Sequence, residues 1–127
     1  MAEVYEIYKC EVCGNIVEVL HGGAGTLVCC GEKMQKIEEK TKEMATEKHV
    51  PFVKEVPGGV EVKVGYNEDH PMKEEHYIEW IAVLTDDGII RKFLKPGDEP
   101  KAQFNVEKSD IKKALEYCNI HSLWKSE

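Results

Sequence analysis

The sequence predicts an all-β protein, with a small metal-stapled module at the N-terminus and an antiparallel β-sandwich after it. Three observations lead there. Apolar and polar residues alternate with a period of two along residues 4–9, 50–56 and 60–64, the pattern of half-buried strands. Turn-forming groups punctuate the later segments: Pro57-Gly58-Gly59, Asp86-Asp87-Gly88 and Lys95-Pro96-Gly97-Asp98,. Four of the five cysteines fall within the first 30 residues. A stretch that short cannot bury a sufficient core, and below about 40 residues a metal or disulfides usually supply the missing stability.

The elements follow in order. Residues 4–9 read as a strand running into Cys10-Glu11-Val12-Cys13-Gly14, a tight knuckle with a glycine where the chain turns back,. Residues 16–20 form a second strand, and a glycine-rich loop leads to Leu27-Val28-Cys29-Cys30-Gly31. The pattern is Cys-x-x-Cys, fifteen residues, Cys-Cys. Neighbouring side chains on extended backbone point to opposite faces, so Cys29 and Cys30 can share one ion only where the backbone bends. That strain favours a single iron in a distorted tetrathiolate shell over structural zinc, although ligand type alone does not separate the two. Residues 37–48 are charged, lack an apolar face and read as a linker. The division is a module at 1–37, a linker at 38–46 and a main domain at 47–127. Within the main domain, strands are expected at residues 50–56, 60–64, 77–84, 89–94 and 102–106. Residues 109–116 read as a short helical turn capped by Ser109, with Ile111, Ala114 and Leu115 inward.

Composition excludes several classes. A net charge of -7 argues against nucleic acid, whose phosphates need a basic face. No apolar run approaches the roughly 20 residues that cross a bilayer, and the opening residues carry no apolar signal core. The expected location is the cytoplasm, where thiols stay reduced. The odd cysteine count agrees with ligands rather than disulfides,.

A second constellation lies in the main domain: His49, His70, His76, Cys118 and His121. His21 stands apart beside the glycine loop and reads as an ordinary histidine. The loops of a sandwich gather at its ends, so three remote segments can converge on one ion. Four imidazoles and a thiolate exceed a closed zinc site, and such soft and borderline donors suit iron or copper. Five ligands of this kind fit a square pyramid, with four nitrogens in the plane, sulfur on one axis and the opposite axis open. A thiolate opposite an open position pushes electron density through the metal. Neutral imidazoles leave the ion net positive, which favours an anion. Lys48, next to His49, is placed to draw that anion in. Glu47 is a weaker candidate, able to cap the oxidised metal.

At these residues the sequence resembles desulfoferrodoxin, the two-iron class of superoxide reductase. The matching pieces are residues 8–20, Leu27-Val-Cys-Cys-Gly31, Glu47-Lys-His-Val-Pro51, His70-Pro-Met72, residues 76–81, residues 93–98 and Tyr117-Cys-Asn-Ile-His121 with Trp124. The resemblance implies a desulforedoxin-like module in which Cys10, Cys13, Cys29 and Cys30 hold one iron. It implies an immunoglobulin-like sandwich whose His49, His70, His76, His121 and axial Cys118 hold a second. It further implies reduction of superoxide to hydrogen peroxide without release of dioxygen, re-reduction by an external donor such as rubredoxin, and a homodimer. One segment departs from the family pattern: residues 66–69 read Tyr-Asn-Glu-Asp, one residue longer than usual and acidic, and Lys73 stands where an acid is expected. Two other readings compete, an electron carrier without a substrate and a zinc-stapled binding module.

Overall fold

The structure, a computed structural model, describes residues 2–41, 49–65 and 69–126. The chain separates into two compact units, Met1–Glu38 and Glu39–Glu127.

The first unit is built on strand β1 (Ile7–Lys9), flanked by β2 (Ile16–Glu18) and β5 (Gln35–Lys36), with a β3–β4 hairpin (Val28–Cys29 and Glu32–Lys33) beside them in sequence. β1 starts later than the alternation suggests. Tyr5 takes a left-handed φ of 76°, and the Glu6 amide turns back to the Glu3 carbonyl at 3.1 Å. Among the described residues of this unit only Ile7, Cys10 and Val19 are buried hydrophobics. So thin a core leaves the cysteine cluster as the main source of cohesion.

The second unit is a two-sheet sandwich, antiparallel throughout its strand pairs. One sheet has the order β10-β7-β6, from Lys101–Phe104, Gly59–Val64 and Pro51–Val56. The other has the order β12-β11-β8-β9, from Ser122–Lys125, Lys113–Cys118, Ile78–Thr85 and Gly88–Phe93. Val60, Val62, Val64, Ala102 and Phe104 of the first sheet pack on Ile78, Ile81, Val83, Ala114 and Cys118 of the second. Each fully buried aliphatic side chain contributes about 1.5–3 kcal/mol, so this layer holds the sandwich together. Among the described residues no helix is long and apolar enough to cross a membrane.

Strands stand within a few residues of the expected positions, with one correction. Residues 109–116 are not a helical turn. A single 3-10 turn covers Lys108–Asp110, and β11 begins at Lys113. Ala, Leu and Glu favour helix by only tenths of a kcal/mol per residue. Here β11 pairs with both β8 and β12, and Ala114 through Cys118 are all buried. Two ladders and that burial outweigh the propensity. β12, four residues after a tight turn, has no counterpart in the sequence reading.

The β11–β8 register shifts at its end, from Tyr117 opposite Trp80 to Cys118 opposite Ile78. Glu79 is therefore the extra residue of a β-bulge. The bulge changes the inward parity of β8 from Ile81 and Val83 to Ile78, while β11 keeps Ala114 and Cys118 inward. Bulges commonly re-aim side chains next to functional sites. Glu39 and Lys40, which the sequence reading puts in the linker, join this sheet. The Lys40 amide donates to the Leu123 carbonyl at 2.9 Å, and the Lys125 amide donates to the Lys40 carbonyl at 2.8 Å. Glu39 pairs with Lys113 at 2.6 Å.

Candidate metal centres

In the first unit the knuckle is closed by backbone bonds from the Gly14 amide to the Cys10 carbonyl and from the Cys10 amide to the Asn15 carbonyl, both 2.9 Å. Gly14 has a φ of 84°, which glycine adopts without a Cβ penalty. On the other arm Cys30 and Gly31 take left-handed φ values of 54° and 76°. This is the bend that brings two adjacent cysteines to the same point. The donor sulfurs of Cys10, Cys13, Cys29 and Cys30 all lie within 4.8 Å of one another. Cys13 Sγ is 3.6 Å from Cys29 Sγ, which is 3.9 Å from Cys30 Sγ. A disulfide needs about 2.05 Å, whereas sulfurs about 2.3 Å from a central ion stand ~3.8 Å apart at tetrahedral angles. The spacing fits a metal. The Cys13 amide, pointing at the sulfur, is the main cause holding the Cys10 thiol down to about 7. The neighbouring thiols, Cys13 first, push Cys30 up to about 12. Without a cation the four cannot all be thiolates at neutral pH; with one they can.

In the second unit His49 precedes β6, His70 and His76 lie between β7 and β8, and Cys118 and His121 frame the β11–β12 turn. Pro51 pairs with Val64 and Ile78 with Cys118, so these positions meet at one end of the sandwich. His49, His70, Cys118 and His121 place donor atoms within 4.8 Å of one another. The ring centroids form a closed circuit: His49 to His70 4.7 Å, His70 to His76 4.8 Å, His76 to His121 5.1 Å and His121 to His49 4.2 Å. The His49–His76 diagonal is 6.4 Å, longer than the sides by close to the ratio in a square. Beside this square Cys118 Sγ stands 3.9 Å from His121 Nδ1.

The donor chemistry fits an ion there. His70 Nδ1 lies 2.7 Å from the Pro71 carbonyl. A carbonyl only accepts, so Nδ1 carries the proton and Nε2 is the ligating nitrogen, the orientation second-shell bonds give metal-bound histidines. Burial, then the other imidazoles, press His49 down to about 3, so it is neutral at working pH. Burial raises the Cys118 thiol above its ordinary value. It becomes a thiolate only against a cation.

Nine of the expected positions come together in two clusters: Cys10, Cys13, Cys29 and Cys30 in one, and His49, His70, Cys118 and His121, with His76 in ring contact, in the other. Lys48 and Glu47 lie outside the described residues, as do residues 66–68. Asp69 is engaged by Lys63 Nζ at 2.9 Å. His21 is exposed and in neither cluster. The sequence reading missed the roles of three residues around the square. Trp124 stacks on His49 at 5.1 Å and 21°, and its Nε1 donates to the His121 carbonyl at 2.9 Å. Lys40 Nζ donates to the same carbonyl at 3.3 Å and sits 5.4 Å over the Trp124 ring. Asn119 joins the two ligand loops. Only the Cys-Asn-x-His spacing could have pointed to it.

Comparison with known proteins agrees along the whole chain. The family model for the desulfoferrodoxin N-terminal domain matches residues 2–37, and the desulfoferrodoxin model matches residues 41–127. A desulfoferrodoxin homolog of Archaeoglobus fulgidus is 57% identical over 126 residues, covering 99% of both chains. A superoxide reductase of Thermococcus kodakarensis is 35% identical over 105 residues, 69% of this chain and 91% of its own. The crystal structure of the superoxide reductase from Treponema pallidum superposes with a TM-score of 0.77 at 30% identity, covering 96% of this chain and 97% of that one. The clusters of the two units correspond to the two iron centres of desulfoferrodoxin, one tetrathiolate and one of histidines with a thiolate. The chain belongs to the desulfoferrodoxin family.

Proposed function

We propose that the chain is a superoxide reductase, an oxidoreductase whose substrate site is the ion held by His49, His70, His76, His121 and Cys118. The observation that carries this reading is the near-square circuit of four imidazole rings beside a buried thiol. Iron held there would supply the one electron that, with two protons, converts superoxide to hydrogen peroxide. The protein's residues set the conditions. Neutral imidazoles and a single thiolate leave the ferrous site net positive, which attracts a small anion despite the acidic chain. Cys118 would hold the ion as a thiolate and donate electron density to it. Lys48, next to His49 in sequence, draws the anion in, and Glu47 caps the oxidised site between turnovers. Pairing of Asp69 with Lys63 offsets part of the acidic departure at residues 66–69.

The same reading assigns residues 1–37 to a desulforedoxin-like domain with an accessory iron on Cys10, Cys13, Cys29 and Cys30, residues 47–127 to the catalytic domain, and residues 38–46 to a linker whose Glu39 and Lys40 are laid along the β12 edge of that domain. It places the protein in the cytoplasm as a homodimer re-reduced by a rubredoxin-like donor. The test is to mix reduced protein with a superoxide source. One peroxide for each superoxide, without dioxygen, supports reduction; one peroxide and one dioxygen for every two superoxides is dismutation, and a mere electron carrier would not yield stoichiometric peroxide. Metal analysis giving two zincs and no iron per chain would also end the reading. Lys48→Ile should slow the encounter and weaken its salt dependence; an unchanged rate removes Lys48 from the mechanism.

A further inference from the structure

His76 is held differently from its companions. The tight group of donors contains His49, His70, Cys118 and His121, while His76 is reached through ring contacts at 4.8 Å to His70 and 5.1 Å to His121. The backbone that carries it is tied down on both sides. On one side, His76 and Lys73 exchange backbone hydrogen bonds of 2.9 and 3.0 Å, a tight loop that fixes where the segment begins. On the other side stands Asn119, one residue past Cys118. Its Oδ1 accepts from the Tyr77 amide at 2.9 Å, and its Nδ2 donates to the Glu75 carbonyl at 3.2 Å. Its own amide donates to the Tyr77 carbonyl at 3.2 Å. One side chain thus grips the residues before and after His76.

We propose that Asn119 is a positioning residue for His76, clamping the segment that carries it to the Cys118–His121 turn. The β11–β8 backbone ladder ends at the Cys118–Ile78 pair; one further main-chain bond, from the Asn119 amide to the Tyr77 carbonyl, follows it, and the Asn119 side chain carries the attachment on to Glu75. Chemistry specifies the residue. The site presents one N–H and one C=O to a single short side chain, and only a primary amide offers both an acceptor and a donor at that reach. Aspartate meets the Tyr77 amide but sets a second oxygen against the Glu75 carbonyl. Glutamine is one methylene too long. Because both ends of the amide are bound to the backbone, Asn119 serves neither as a ligand nor as a substrate contact. It acts through the segment that carries His76.

This inference rests on the five-ligand reading of the site, and the experiment separates the two. The full-length, iron-loaded protein is compared with Asn119→Ala, Asn119→Asp and Val83→Ala, the last a core truncation remote from the turn that serves as a stability control. The readouts are iron release to a ferrous chelator, the sulfur-to-iron absorption band and the electron paramagnetic resonance symmetry of the oxidised site. In Asn119→Ala the histidine-site iron leaves about 10–100-fold faster, the range lost on removing partners that orient metal ligands. The tetrathiolate iron is unaffected, the band persists because Cys118 still binds, and the resonance becomes more rhombic as one imidazole loosens. Asn119→Asp falls between wild type and Asn119→Ala, and Val83→Ala leaves release rate and spectra unchanged. Should Asn119→Ala fail to fold, exchange of the Tyr77 amide in the wild type decides, since the clamp requires it to be protected. Wild-type spectra and release in Asn119→Ala, equal changes in Val83→Ala, or an unprotected Tyr77 amide overturn the proposal. A wild-type protein lacking the sulfur-to-iron band would instead overturn the five-ligand reading beneath it.

Discussion

Trp124 offers the most quantitative prediction. It is 5% exposed, its ring lies against His49 and its Nε1 donates to the His121 carbonyl, so one side chain braces two ligands. Trp124→Phe keeps much of the stack and deletes the hydrogen bond. Lys40 Nζ still donates to that carbonyl, so the acceptor is not orphaned and the hydrogen-bond loss is about 0.5–1.5 kcal/mol. Trp124→Ala also removes the ring, for a total of about 3–5 kcal/mol. In a unit of this size each kcal/mol moves the melting temperature by about 4–8 °C. The phenylalanine variant should therefore melt about 2–12 °C low, and the alanine variant about 12–40 °C low. Scanning calorimetry of the iron-loaded full-length protein measures both, with loss of the sulfur-to-iron band marking the C-terminal transition. If the two variants fall equally, the hydrogen bond and not the ring carries the support, and the reasoning fails.

Other predictions concern separate parts of the chain. Cys118→Ser abolishes the sulfur-to-iron band of the histidine site and leaves the tetrathiolate bands; a surviving band would mean another sulfur ligand. Gly59 has a φ of 153°, and a Cβ there would run into the backbone of Phe104. Gly59→Ala therefore costs more than the about 1–3 kcal/mol of backbone strain alone. Gly58→Ala, with φ 87° and open space around it, should pay only strain, and urea midpoints of the two variants should differ in that order. Glu6 is held below its ordinary value by the Glu3 amide first and Lys36 second. Its contribution is complete above 4.5, the ordinary value, and is lost as acid protonates the folded carboxylate. Glu6→Gln should accordingly be less stable near neutrality, with the gap closing in acid; a gap that widens in acid reverses the assignment.

The sequence carried more of the chemistry than of the topology. Cysteine and histidine positions are legible because ligand types are few and their spacing is constrained, and both clusters assemble from them. The conformation that lets Cys29 and Cys30 share an ion is not written in those residues; it appears as two successive left-handed φ values. β11 reads as helix because Lys-Ala-Leu-Glu has helical propensity, whereas its state is set by pairing with β8, whose partners stand 29 to 40 residues away in sequence. Asn119, Trp124 and Lys40 carry no signal singly. Their roles arise from contacts between the turn, the ligand loop and the edge of the sheet, which no local pattern encodes.

The junction between the units has a practical consequence. Residues 39 and 40 lie along β12 through backbone bonds to Leu123 and Lys125, covering amides and carbonyls that would otherwise invite pairing with a neighbouring molecule. Cutting the chain at residue 47, where the first ligand motif begins, would strip that cover and expose a sticky border. A free-standing catalytic half should therefore begin no later than Glu39, and its shorter version should be the one that precipitates.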